Sequence, residues 1–119
     1  MISIIMPSLT PNLNKICSTL DCILQNSGEY EVVLVLQRTG IEIEDKIKKH
    51  FSFNAKLKII NDTGIGISRA RNIAIRASVG DWMLLLDDDV YIENNTIQNL
   101  NEQLSDDEMF YYGNALIHN

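Results

Sequence analysis

Apolar positions in this chain come in short runs separated by stretches with helical spacing, and the two kinds alternate from end to end. Residues 2–6, 31–36, 57–61 and 82–86 read as strands, with Pro7 closing the first, and residues 109–116, interrupted by Gly113, read as a fifth. Helices fill the gaps. Residues 13–26 carry Ile16, Leu20, Ile23 and Leu24 at three-to-four spacing and stop at Ser27-Gly28. Residues 44–51 form a shorter, charged helix. A third helix begins with Ser68 as N-cap, buries Ala70, Ile73, Ala74 and Ala77, and ends at Gly80, and a last one covers 96–104. Strands alternating with helices predict an α/β fold, a three-layer α/β/α sandwich around a mostly parallel sheet. Trp82-Met83-Leu84-Leu85-Leu86 lacks any polar alternation, so it reads as a strand buried on both faces.

That strand runs straight into Asp87-Asp88-Asp89. Adjacent carboxylates at the rim of a core repel one another unless water, a basic group or a cation compensates them. In open α/β sheets, ligands bind outside the carboxyl ends of the strands. If the backbone stays extended, Asp87 and Asp89 project to one side and Asp88 to the other. Two oxygen donors with room for phosphate and water suit Mg²⁺ or Mn²⁺. The competing reading is structural: Asp88 or Asp89 caps the following turn, as aspartates often do.

Composition narrows the partners. With 119 residues, 45% of them hydrophobic, the chain holds one core and is expected to be a single domain, 1–119. Ten Lys plus Arg against sixteen Asp plus Glu give a net charge of −6, which disfavours nucleic acid and anionic membranes as partners. Cys17 and Cys22, five apart in a helix, match neither a disulfide framework nor a zinc site and read as reduced, buried packing residues. The opening residues lack a basic region and a long apolar stretch, and nothing approaches membrane-spanning length, so a cytoplasmic location is the default.

Three other loops carry polar residues that packing does not require. Pro7-Ser8-Leu9-Thr10-Pro11-Asn12 has two stiffening prolines and two hydroxyls able to hydrogen-bond a ligand; as an ordinary turn it ends in Asn12 capping the next helix. Gln37-Arg38-Thr39-Gly40 follows the second strand and offers an amide that can read a base edge as donor and acceptor, or is a plain solvated turn. Gly64-Ile65-Gly66-Ile67-Ser68-Arg69-Ala70-Arg71-Asn72 places glycines just before a helix N-terminus, a setting that suits a diphosphate. It is neither the three-glycine dinucleotide fingerprint nor a P-loop. Arg69, Arg71 and Arg76 can equally be a solvated helix face, with Arg71 and Asn72 the pair placed to matter.

Together these segments resemble the nucleotide-binding portion of a family 2 glycosyltransferase with the GT-A fold, a Rossmann-like half. The likeness runs from the first strand and its Pro-Ser-Leu-Thr loop through Gly66-Ile67-Ser68-Arg69-Ala70-Arg71-Asn72 to Gly80-Asp81-Trp82-Met83-Leu84-Leu85-Leu86-Asp87-Asp88-Asp89, with the G-x-S-x-x-R-N and D-x-D blocks in the family's order and separation. The resemblance implies that Pro7, Ser8, Leu9 and Gln37 border the nucleoside and that Arg71 and Asn72 lie near the nucleotide. It implies further that Asp87 and Asp88 belong to the substrate side, Asp87 approaching ribose or sugar, and that Asp89, with Asp87, holds the Mn²⁺ or Mg²⁺ bridging the diphosphate. The implied activity is inverting sugar transfer from a nucleotide-diphosphate sugar, a UDP-sugar first, to a carbohydrate or lipid-linked acceptor, at the inner face of a membrane where the acceptor is lipid-linked.

Many relatives carry an acidic pair after the second strand, where this chain has Leu36-Gln37. Family members also continue into a half that binds acceptor and supplies a catalytic carboxylate, so the chain is expected to stop before that half and its general base. Glu102, Asp106, Asp107 and Glu108 are the late acidic residues, and they read as surface positions rather than as that base. Two other readings compete. In a non-catalytic α/β interaction module, self-association would use the face that the second half otherwise covers. In a metal-dependent phosphatase of the haloacid dehalogenase type, the D-x-D should end the first strand and be followed two positions on by Thr or Val, whereas here Tyr91 holds that place and the motif ends strand four.

Overall fold

The structure is a computed structural model, and it describes residues 1–104. Four strands, β1 (Ile2–Leu9), β2 (Tyr30–Gln37), β3 (Leu57–Asp62) and β4 (Trp82–Leu85), alternate with helices α1 (Leu13–Leu24), α2 (Ile41–His50), α3 (Ile67–Ala77) and α4 (Thr96–Gln103). These four strands pair in parallel, in the order β3-β2-β1-β4. The expected fifth strand, 109–116, lies outside the described residues.

Side-chain alternation divides the core into two layers. Ile2, Ile4 and Met6 of β1 and Val32, Leu34 and Leu36 of β2 pack with Ile16, Leu20 and Ile23 of α1, Ile47 of α2 and Ile97 of α4. On the opposite face, Ile5, Val33 and Val35 meet Ala70 and Ala74 of α3, whose small side chains let the helix sit close to the sheet. Three helices on one face and one on the other make the three-layer α/β/α sandwich that the alternation predicts.

Several boundaries differ from the sequence expectation. Pro7 does not close β1, which runs on to Leu9 opposite Gln37. Ile5 accepts from the Leu86 amide on the β4 side, and Pro7, two residues on, faces the same side beyond the last β4 pairing, so its missing N–H costs no ladder bond. β4 is not buried on both faces: Met83 and Leu85 are 43% and 53% exposed. Among the described residues the strand is outermost in the order, and α3 lies over β1 and β2 rather than over β4. The N-cap of α3 is Gly66, not Ser68, and the helix ends at Ala77, ahead of Gly80. Helix α1 ends at Leu24, two residues early, and α2 starts three residues early, at Ile41. Cys17 and Cys22 are free, as expected, but only half-buried.

Candidate functional site

The chain lays down β1, β2 and β3 in one direction and then returns past β1 to place β4 on the other side. The strand order therefore reverses between β1 and β4, the position where open α/β sheets bind ligands. A cleft of about 360 Å³ opens there, lined by Pro7, Leu9, Gln37, Ile67, Asp87, Asp88 and Asp89. Residues from four separate parts of the sequence converge on it.

The acidic turn is held by its middle member. Ser8 Oγ donates to Asp88 Oδ2 at 2.6 Å, and Thr19 Oγ1 donates to the Asp88 carbonyl at 2.7 Å. Asp87 and Asp89 are exposed on either side of this anchor. Arg71 reaches Asp87 Oδ1 at 3.4 Å, while its own Nε is buried without a hydrogen-bond partner among the described residues. Asp89 makes no hydrogen bond or ion pair there. No group of three or more His, Cys, Asp and Glu suited to a metal occurs among the described residues.

The floor of the cleft is Gln37, 1% exposed, and both ends of its amide are engaged. Its Nε2 donates to Asp62 Oδ2 at 2.8 Å, and its Oε1 accepts from the Gly66 amide at 3.1 Å. Asp62 also accepts from Arg69 Nε and Nη2 at 2.9 and 2.8 Å and from the Gly64 amide at 3.1 Å. These donors, Arg69 first and Gln37 next, hold the Asp62 carboxyl well below the usual carboxylate range. The paired carboxylate in turn raises the Arg69 guanidinium. Gly66 has φ +125°, a conformation that only glycine adopts without strain, and α3 starts with no side-chain cap, leaving its first N–H groups open beside Ile67. Thr10 and Arg38, the residues just past β1 and β2, are left-handed at φ 51° and 56°, and the Thr10 amide bonds the Gln37 carbonyl at 2.9 Å.

Pro7, Leu9, Gln37, Asp87, Asp88 and Asp89 thus line one cleft, Ser8 lies just beneath it, and Arg71 touches its edge through Asp87. Asn72 is exposed and makes none of these contacts. Asn12 caps α1 as expected, accepting from the Lys15 amide at 3.2 Å. Asp62, Arg69 and Thr19 were not foreseen. Asp62 ends β3 and the acidic turn follows β4, and that shared position at a strand's carboxyl end was the available signal; the Arg69 and Thr19 pairings depend on tertiary contacts. Glu102, on α4, is exposed and away from the cleft lining, while Asp106, Asp107 and Glu108 lie outside the described residues. A second cleft of 400 Å³, between α1 and α2, is lined by Leu13, Asn14, Cys17, Ser18, Asp21, Lys46 and His50. Its thiol at Cys17 is pushed up by burial and then by Asp21, away from the reactive thiolate form.

A parallel sheet with an acidic cleft at its reversal point is the architecture of the GT-A glycosyltransferases. A mannosyltransferase, PcManGT from Pyrobaculum calidifontis, solved in complex with GDP-Man and Mn²⁺, superposes with a TM-score of 0.75 at 21% identity, over 88% of this chain and 32% of that one. The sequence pattern of the glycosyl transferase family 2 matches residues 3–119, and the chain belongs to that family. An uncharacterised glycosyltransferase of Haemophilus influenzae is 33% identical over 89 residues, covering 75% of this chain and 29% of that protein. EpsJ, an uncharacterised glycosyltransferase of Bacillus subtilis, is 27% identical over 119 residues, covering 95% of this chain and 33% of its own length. The chain therefore spans about a third of these relatives. Family membership removes the phosphatase reading. Among the described residues, no helix is long and apolar enough to cross a membrane.

Proposed function

We propose that residues 1–119 are the donor-binding portion of an inverting glycosyltransferase, and that the cleft between β1 and β4 takes a nucleotide-diphosphate sugar. The observation that carries this reading is the unequal state of the acidic groups. Asp62 and Asp88 are committed to internal hydrogen bonds, whereas Asp89 faces the cleft unpaired among the described residues and Asp87 has only a long contact to Arg71. A donor set of two exposed carboxylates, with no third ligand among the described residues, suits a cation completed by phosphate oxygens and water rather than a cage made of protein. Asp89, with Asp87, would hold Mn²⁺ or Mg²⁺, which when bound offsets charge on the departing nucleoside diphosphate.

The chain's own groups supply the rest of the donor site. Arg71 has a buried Nε donor that lacks an acceptor, and an anionic oxygen at the cleft edge would satisfy it. The uncapped start of α3 adds N–H groups on the same side. Pro7, Ser8, Leu9 and Gln37 would form the wall and floor toward the nucleoside. UDP-sugars are the first donors to test and GDP-sugars the second, since the archaeal mannosyltransferase that shares this fold was solved with GDP-Man. A carbohydrate or lipid-linked acceptor and a general base would come from polypeptide beyond these residues.

Calorimetry with UDP and with GDP, each with and without Mn²⁺, tests the reading. Metal-dependent binding is expected for one of them, lost in Asp89→Asn while the melting temperature stays unchanged. Absence of binding to both nucleotides in the presence of Mn²⁺ would refute it.

A further inference from the structure

Buried polar side chains on α1 serve the segment that follows β4. Thr19 is 0% exposed and Asn26, just past the helix end, is 4% exposed. A buried hydroxyl or amide is costly unless it is hydrogen-bonded. A helical Ser or Thr usually satisfies itself on the carbonyl four residues back, and Ser18 does this, with Oγ 3.0 Å from the Asn14 carbonyl. Thr19 instead donates to the Asp88 carbonyl, 69 residues away, at 2.7 Å. One turn on, Cys22 Sγ donates to the Ile92 carbonyl at 2.7 Å, and at the end of the row Asn26 Oδ1 accepts from the Ile97 amide at 3.1 Å. Residues 19, 22 and 26 follow helical spacing along one side of α1, and their partners at 88, 92 and 97 run in the same order.

We propose that Thr19, Cys22 and Asn26 form a row of positioning residues that sets where the acidic turn stands; the proposal rests on the donor-site reading above. Thr19 grips the Asp88 main chain while Ser8 grips its carboxylate, so the central residue is held at two points. Asp87 and Asp89 are thereby displayed outward at a fixed separation, as a shared cation requires. Cys22 and Asn26 hold the following chain as far as the start of α4, so the turn cannot drift toward solvent.

The test uses the whole 119-residue chain. Thr19→Val keeps the shape and removes the donor, and Thr19→Ser keeps the donor. Mn²⁺-dependent nucleotide affinity, measured with UDP and GDP, is expected to fall about tenfold in Thr19→Val and to recover in Thr19→Ser. Ile47→Val, a core change remote from the cleft, should lower the melting temperature without moving the affinity. Without ligand, hydrogen exchange of the Val90 amide, which bonds the Asp87 carbonyl at 3.3 Å, should quicken in Thr19→Val while amides of β2 keep their rates. Unchanged affinity in Thr19→Val, an equal loss in Ile47→Val, or unaltered Val90 exchange would each overturn the proposal. A wild-type chain that binds neither nucleotide overturns the donor-site reading instead, and the exchange measurement then still decides whether Thr19 positions the turn.

Discussion

Gly80→Ala probes how the acidic turn is aligned with the sheet, because Gly80 stands two residues before β4. A Cβ at this position would lie 2.5 Å from Ser3 Oγ, 2.7 Å from the Met1 carbonyl oxygen and 2.8 Å from the Ser3 amide nitrogen. Two of those atoms are main-chain: the Ser3 nitrogen lies in β1, which is paired on both sides and cannot move aside, and the Met1 oxygen, just ahead of β1, is held by the Asp81 and Trp82 amides. Overpacking of this kind costs about 1–3 kcal/mol. The Gly80 amide also donates to Ser3 Oγ at 2.8 Å, and losing that bond adds about 1 kcal/mol. Reduced freedom of the unfolded chain offsets about 0.4–1 kcal/mol. The net expectation is a loss of about 2 kcal/mol. With an unfolding entropy of roughly 0.25 kcal/mol per degree for 119 residues, that is a fall of about 8 °C in melting temperature. Thermal melts followed by circular dichroism measure it. Gly40→Ala, where an added Cβ meets nothing within 4 Å, is the steric control: alanine is the weaker N-cap for α2 but restricts the unfolded chain, and with these effects opposed it should stay within about 1 kcal/mol of wild type. A Gly80→Ala melting temperature within about 2 °C of wild type would show that β1 yields at this contact and that the close approach does not set the register of β4.

Two further perturbations address the cleft floor. Asp62 has a folded pKa held below its unfolded value, so its contribution is present above the ordinary carboxylate pKa and is lost as pH falls. Stability should therefore decline on acidification below about pH 4 less steeply in Asp62→Asn than in wild type, as read from urea midpoints across pH; parallel curves would show that the Arg69 pairing has no part in acid unfolding. Gln37→Leu keeps the buried volume but leaves the Gly66 amide without its acceptor, and a loss of about 2 kcal/mol in urea unfolding is expected; an unchanged midpoint would place the amide's bonds among the dispensable ones.

The positions of the strands and helices were readable because the periodicity is strong, and each predicted element within residues 1–104 exists. Errors arose where a residue's local preference met a tertiary circumstance. Pro7 normally ends a strand, but here its missing N–H faces a side where β4 has already ended. Five consecutive apolar residues normally mean two buried faces, but a helix must cover both, and α3 covers the central strands instead. Ser68 is a better N-cap than glycine by preference, yet Gly66 takes the position because the chain turns there with a positive φ and is held by Gln37. The acid triplet was legible as a candidate site because it follows a strand. Which of its members is free was not, since that depends on Ser8 and Thr19, about 70 to 80 residues away in the chain.

The sequence by itself determined an α/β chain, the order of its elements within residues 1–104, its family likeness, and an acidic turn at the carboxyl end of a strand. Those properties are carried by residue type and spacing over short windows, which the chain shows without folding. The tertiary structure alone decided that β4 is the outermost strand among the described residues, that Gln37 and Asp62 brace the cleft floor, and that Asp88 is tied down while Asp87 and Asp89 face outward. Such outcomes depend on which donor meets which acceptor across the fold, and a hydrogen bond between residues 19 and 88 has no signature in the sequence around either.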